Sequence, residues 1–335
     1  MSNASNQQLP ITQHAVLIRE FGEPEVMKYH DGVAIPELGE EQVLVKVAYA
    51  GINPVDYKTR QGKGWGADNI RKNKFDHNEP AILGFDVAGE VAISNSDQFA
   101  VGDKVAALTF DGSCYAEYVA VDAKLLAKVP EGVTLKQAAA LPCAGQTALQ
   151  FIAFADIKKA EHVVMNAPAG GVGHLLIQLL MEKVAQDDIK VTVICSPEKY
   201  AKLDKIIDKS QLTSWIDYTK DEAFPDLQAD VLLDLVGDEA GVRALSVLKS
   251  GGRVNVLPTI WVDKLKGAGN EKNLIVAGYA AQRSGEDMAR VLQQVADGKL
   301  TLHIQQTYPL SEVVAAHLEL QKGGTFGKIV LEASA

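Results

Sequence analysis

The seven residues Ala167-Pro168-Ala169-Gly170-Gly171-Val172-Gly173 sit between an apolar run, Val163 to Asn166, and a second one, His174 to Leu180. A strand, a glycine turn and a helix in that order seat the pyrophosphate of a dinucleotide. Glycines let the backbone approach the phosphates, and the unpaired N–H groups and positive dipole end of the helix favour an anion. The general G-x-G-x-x-G pattern, with its last two glycines on Gly170 and Gly173, puts its first on Pro168, whose ring forbids positive φ. Taken alone, such a turn is also a plain strand-to-helix connection. A second strand, Lys190 to Cys195, follows about twenty residues later, where a βαβ unit places it. It ends not in the Asp or Glu that would hold ribose hydroxyls but in Ser196-Pro197-Glu198-Lys199. A hydroxyl and an ammonium suit a 2′-phosphate, which favours NADPH over NADH; Glu198 would oppose this if its carboxylate faced inward. The plainer reading of Lys199 is a solvated residue opening a surface helix.

The elements that must position this chemistry change in texture near residue 137. Before it, short β-rich runs dominate: His14 to Ile18, Gln42 to Val47, Val87 to Val91, Lys104 to Leu108 and Ala116 to Val121. Several alternate apolar with polar, as half-buried antiparallel strands do, so a barrel-like β domain is expected. After it, strands at Val163, Val191, Trp215, Asp230, Arg253 and Leu274 alternate with helices from Val172, Pro197 and Ala240. That is the pattern of a doubly wound parallel sheet, and the fold class is α/β. The strands Ile304 to Tyr308 and Lys328 to Leu331, with a helix near Ser311 to Gln321, return to the first texture. The expected division is a flexible tail over 1–13, a β domain over 14–137 and 281–335, and a dinucleotide domain over 138–280.

The chain has 335 residues, 47% of them hydrophobic and 23% charged, and a formal net charge of −10. An acidic surface with no concentrated basic patch argues against nucleic acid or an anionic membrane as partner and leaves a small molecule as the default substrate. Cys114, Cys143 and Cys195, without C-x-x-C spacing, suit a reducing compartment. The polar amino terminus has no apolar signal core and no run of eighteen apolar residues occurs, so the expected location is the cytoplasm.

A β-rich first part, a dinucleotide fold and a returning carboxyl end resemble the medium-chain dehydrogenase/reductase superfamily. The phrases Ala50 to Lys58, Leu83 to Val91, Gly102 to Val105, Leu141 to Ala148, Ala167 to Gly173 and Gly327 to Leu331 are similar to successive landmarks of its zinc-independent quinone oxidoreductase branch, over residues 14–331. The resemblance implies a GroES-like catalytic domain beside a Rossmann domain. It also implies a pyrophosphate turn of the form A-x-x-G-x-x-G, which Ala167, Gly170 and Gly173 satisfy, with Gly171 and Val172 between them. Thr147 resembles the family's nicotinamide-side threonine and Tyr218 its residue near the adenosine phosphate. Lys328 could reach the cofactor, or be an exposed strand lysine. Related enzymes extend their sheet across a two-fold axis where this chain has Leu274 to Gly278, which implies a homodimer.

Zinc-dependent members of the superfamily carry a Cys where this chain has Asn53 and a His-Glu pair where it has Phe85-Asp86, leaving only Cys143 at a ligand position. One thiolate cannot hold a zinc ion that needs three protein ligands, so no metal is expected. The seven histidines form no close ligand pair and read as surface or capping residues, and Cys143 reads as a small buried hydrophobe. Without a Lewis acid, the fitting acceptors are those that take hydride readily, quinones and activated alkenes. The oxyanion that develops then needs a hydrogen-bond donor and a proton. Asn53 is the candidate donor and Tyr57 the candidate proton source; the alternatives are a turn residue before proline and an aromatic capping the core. The reading is an NADPH-dependent quinone reductase. An alkenal or enone reductase and a non-catalytic NADPH-binding protein are the alternatives; an enoyl-thioester reductase would need a basic entry groove, which the sequence lacks. The insert from Gly62 to Glu79 borders the expected pocket in a conformation the sequence does not reveal.

Overall fold

A computed structural model describes residues 10–109, 111–220 and 223–333. The first nine positions of the expected tail lie outside the described residues, and the first strand, Thr12–Ile18, opens inside that tail. The long strand Gln42–Ile52 organises the β-rich part. It pairs antiparallel with Asp86–Ser94, Tyr118–Asp122 and Lys328–Glu332, so the carboxyl-terminal strand returns to the first part of the chain. Its burial is nearly continuous, which suits a run of Val, Leu and Ala flanked by strands on both edges. The register sets the chemistry. Gly51 pairs with Asp86 and Ile52 with Ile329, so the end of one strand meets the beginnings of two others at Asn53, Asp86 and Lys328.

The second sheet has the strand order Ser214–Asp217, Lys190–Cys195, His162–Asn166, Ala229–Asp234, Leu248–Val256 and Ile275–Gly278, with every neighbouring pair parallel. The chain enters at the middle and winds out both ways, so the order reverses beside His162–Asn166, where such sheets open a ligand crevice at their carboxyl ends. Asn166 ties the reversal: its Nδ2 donates to Asp234 Oδ1 at 2.5 Å and its Oδ1 accepts from Leu235 N at 2.6 Å. The helix Gly173–Asp187 covers the sheet with Leu175, Leu176, Ile177 and Leu180, all fully buried. Truncating one of these to Ala would cost about 2–5 kcal/mol.

Two elements were not legible. The insert forms the helix Gly64–Asn73 and a short turn, Phe75–His77. Its buried face is Gly66, Ala67 and Ile70, and a Cβ on Gly66 would lie 2.4 Å from Thr59 Oγ1, so small residues let this helix cross its neighbour closely. That neighbour is Pro54–Arg60, where the sequence suggested a turn. Asn53 and Asp56 form a reciprocal capping box around Pro54 at the first helical position.

Candidate functional site

In the glycine turn, the left-handed residue is Ala167, with φ 50°. It thus takes the conformation for which glycine is usually chosen, one residue before the proline that cannot adopt it. Of the glycines, only Gly173 is demanded by the protein itself, since a Cβ there would lie 2.0 Å from the Ala167 carbonyl oxygen. At Gly170 and Gly171 an added Cβ would meet nothing nearer than 3.5 Å. Their bareness serves no packing need and leaves a mouth that a side chain would fill. The N–H groups of Gly171 and Val172 have no backbone acceptor among the described residues, and they stand before the fifteen-residue helix Gly173–Asp187. Bare glycines and unpaired donors at a helix start fit a pyrophosphate.

Ser196 and Tyr218 follow directly on strands paired Cys195 to Asp217, next to the strand that feeds the turn. The Ser196 hydroxyl caps its own helix by accepting from Lys199 N at 3.4 Å. The Lys199 ammonium donates to the Gly324 carbonyl, and Tyr218 is 51% exposed. Glu198 is turned to solvent and paired with Lys202 at 2.5 Å, which removes the repulsion expected of it. His174 is fully buried, not a surface residue. Its Nδ1 lies 3.0 Å from the Gly170 carbonyl, which can only accept, and burial lowers its pKa to about 4, so the ring is a neutral strut under the turn.

Asn53, Asp86 and Lys328 form a buried polar node. Asn53 Nδ2 donates to Asp86 Oδ2 at 2.8 Å and Asn53 N donates to Asp56 Oδ2 at 2.7 Å. The other oxygen of Asp86 accepts from Cys143 N at 2.9 Å, at the start of the helix Pro142–Ala155. Lys328 is 2% exposed, so it is no surface lysine. Its stem lies 3.5 Å from where a Gly171 Cβ would be, while its ammonium turns away from the turn, donates to the Ile52 carbonyl at 2.8 Å and to Asn53 Oδ1, and stands 3.8 Å from Asp86. Burial, and then the proximity of Asp86, pushes the Asp56 carboxyl up to about 8; burial also raises Asp86. Tyr115 lies beside Asp56, and its hydroxyl meets His317 Nε2 at 3.2 Å. His317 is fully buried and, like His174, corrects the surface reading.

Tyr57 is half-buried on the helix that Asn53 caps, and burial raises its phenol, so it stays protonated at neutral pH. Thr147 is buried one helical turn beyond Cys143, a half-buried thiol that burial raises. Two residues had escaped the sequence reading. Lys58, beside Tyr57, is half-buried and its amine is lowered by burial and then by Lys63; a lysine in the last turn of a short helix gave no signal. Trp65, from the insert, stands 5.8 Å from the Phe85 ring. Among the described residues no three His, Cys, Asp or Glu side chains are grouped to hold a metal ion, and no helix is long and apolar enough to cross a membrane.

Comparison with known proteins agrees with this architecture. An alcohol dehydrogenase GroES-like domain family matches residues 39–131, and a zinc-binding dehydrogenase family matches residues 210–331. The chain is 32% identical to the 2-methylene-furan-3-one reductase of Solanum lycopersicum and 30% identical to the chloroplastic NADPH-dependent alkenal/one oxidoreductase of Arabidopsis thaliana, in both cases over 96% of this chain and 80% of the relative. Among solved structures, the quinone oxidoreductase of Coxiella burnetii superposes with a TM-score of 0.85 at 33% identity, covering 96% of this chain and 100% of that one. Fold, turn and sequence together place the chain in the medium-chain dehydrogenase/reductase superfamily, as a member of its quinone oxidoreductase branch.

Proposed function

We propose that the chain is a zinc-independent, NADPH-dependent oxidoreductase that reduces quinones. The observation that carries this reading is the span of Lys328, whose stem lies against the glycine turn and whose ammonium holds Asn53. A dinucleotide cradle and a metal-free donor are thus one side chain apart. Bound NADPH supplies the hydride. The N–H groups of Gly171 and Val172, in the turn bounded by Ala167, Gly170 and Gly173, hold the pyrophosphate. Ser196, Lys199 and Tyr218 meet the 2′-phosphate end, with Lys199 exchanging the Gly324 carbonyl for phosphate. Thr147 borders the nicotinamide. Asn53 has one amide hydrogen beyond the one given to Asp86, and it donates this to the acceptor oxygen as negative charge develops there. Tyr57 provides the proton where the product requires one.

A second reading, reduction of the activated C=C bond of alkenals and enones, is favoured by the activities for which the tomato and Arabidopsis relatives are named. The deciding experiment follows NADPH oxidation against 1,4-benzoquinone, 9,10-phenanthrenequinone, crotonaldehyde and a long-chain enone. Turnover on the quinones supports the main reading, turnover confined to the alkenes supports the second, and bound cofactor without turnover makes the chain an NADPH-binding protein. Elemental analysis should find no stoichiometric zinc, because Phe85 offers no donor and only Cys143 remains at a ligand position. The parts proposed to fold around the site are 14–137 with 281–335, and 138–280. Ile275–Gly278 is the edge strand of its sheet with Ile275 60% exposed, which supports a homodimer joined at that edge; a monomer in light scattering would remove it. The proposed location is the cytoplasm.

A further inference from the structure

Lys328 heads the strand Lys328–Glu332, is followed there by three apolar residues, and lies 2% exposed among groups that gain from a cation. Its ammonium has three donors, directed at the Ile52 carbonyl at 2.8 Å, at Asn53 Oδ1, and toward Asp86 at 3.8 Å. An ammonium can only donate and a carboxylate can only accept. The two together therefore distinguish the ends of the Asn53 amide: oxygen toward Lys328, nitrogen toward Asp86 at 2.8 Å. A rotated amide would set NH2 against the ammonium and oxygen against the carboxylate, losing both bonds in a buried setting.

We infer that Lys328 is a positioning residue for reduction: with Asp86 it fixes the orientation of the Asn53 amide, so that Asn53 presents an N–H rather than a carbonyl to the acceptor oxygen. This rests on the function proposed above. It gives Lys328 a different task from cofactor binding, although the aliphatic stem passes the glycine turn. Asp86 is the counterpart, and it also fastens the helix Pro142–Ala155 through Cys143 N, so the amide is oriented relative to the element that carries Thr147.

The test is kinetic, on the full chain with 9,10-phenanthrenequinone as acceptor. Lys328→Met should lower kcat about a hundredfold, the scale for losing one preorganised donor, while the Kd for NADPH stays within about twofold. Because both residues act through one contact, Lys328→Met with Asn53→Ala should lose no more than either change alone. If Lys328→Met does not fold, the pair Lys328→Met with Asp86→Asn removes both charges and is measured in its place, with the same loss of kcat expected. A variant that retains kcat, or one whose loss lies in NADPH affinity, overturns the inference and leaves the proposed function standing. Multiplicative losses in the double variant also overturn it. Absence of turnover by the wild type overturns the proposed function and this inference with it.

Discussion

Asn53, Asp86 and Lys328 are each at most 3% exposed and bind one another, whereas Tyr218 is 51% exposed and the Lys199 ammonium donates to the carbonyl of an exposed glycine. The two ends of the site thus follow different rules. At the node, charges are buried, and each group is held by another protein group before any ligand arrives. At the strand ends, the protein contacts are few and replaceable, so the proposed 2′-phosphate would take them over at little cost. Buried, mutually satisfied polar groups give a fixed geometry, which a donor to a developing oxyanion requires. Exposed groups give affinity without fixed geometry, which recognition of a charged phosphate tolerates.

The sharpest break in that comparison is Asn53→Ala. It should lower kcat by about a hundredfold or more on every acceptor and leave NADPH affinity unchanged. Tyr57→Phe sharpens the account of the node's neighbour. It should slow enone reduction by about a hundredfold, the scale of a lost proton donor, and quinone reduction far less, because a reduced quinone is stable as its anion whereas an enolate needs protonation at carbon. Equal slowing of both acceptors would remove Tyr57 from the proton path. At the other end, Lys199→Glu should raise the KM for NADPH about tenfold or more and leave NADH use nearly unchanged, since the contact proposed for Lys199 is a charge-assisted bond to the 2′-phosphate. A wild type that prefers NADH would sink this.

Stability should also respond to pH. Burial pushes the Asp56 carboxyl up to about 8, so between the usual carboxylate range and pH 8 the folded chain binds a proton at Asp56 that the unfolded chain has lost. Stability then falls as pH rises through that window, by at most about 1.4 kcal/mol per pH unit, and levels off above it. Asp56→Asn should flatten this part of the Tm profile between pH 5 and 8. An unchanged slope would mean that Asp56 ionises freely in the fold.

The strand-end region was legible because its signals are local. A strand, a glycine turn, a second strand and the pair Ser196 and Lys199 lie within forty residues, and local chemistry fixes where they go. The node was only half legible. Asn53 stood out, but its partners are 33 and 275 positions away, and strand register, which no pattern of residues states, brings them together. The signal that could have found them is a mismatch of type: an aspartate within Leu83-Gly84-Phe85-Asp86-Val87-Ala88-Gly89 and a lysine heading Lys328-Ile329-Val330-Leu331, each a charge in a segment otherwise fit for full burial. The helix Gly64–Asn73 stayed hidden because two glycines and a polar surface lower its propensity, while its packing on Thr59 rests on the very smallness that weakens the signal.

The most direct test of this division measures kcat and the NADPH dissociation constant side by side in the wild type, Asn53→Ala and Lys199→Glu. Opposite losses are expected: Asn53→Ala loses kcat and keeps the dissociation constant, and Lys199→Glu raises the dissociation constant and keeps kcat at saturating NADPH. Both variants losing the same parameter would contradict it.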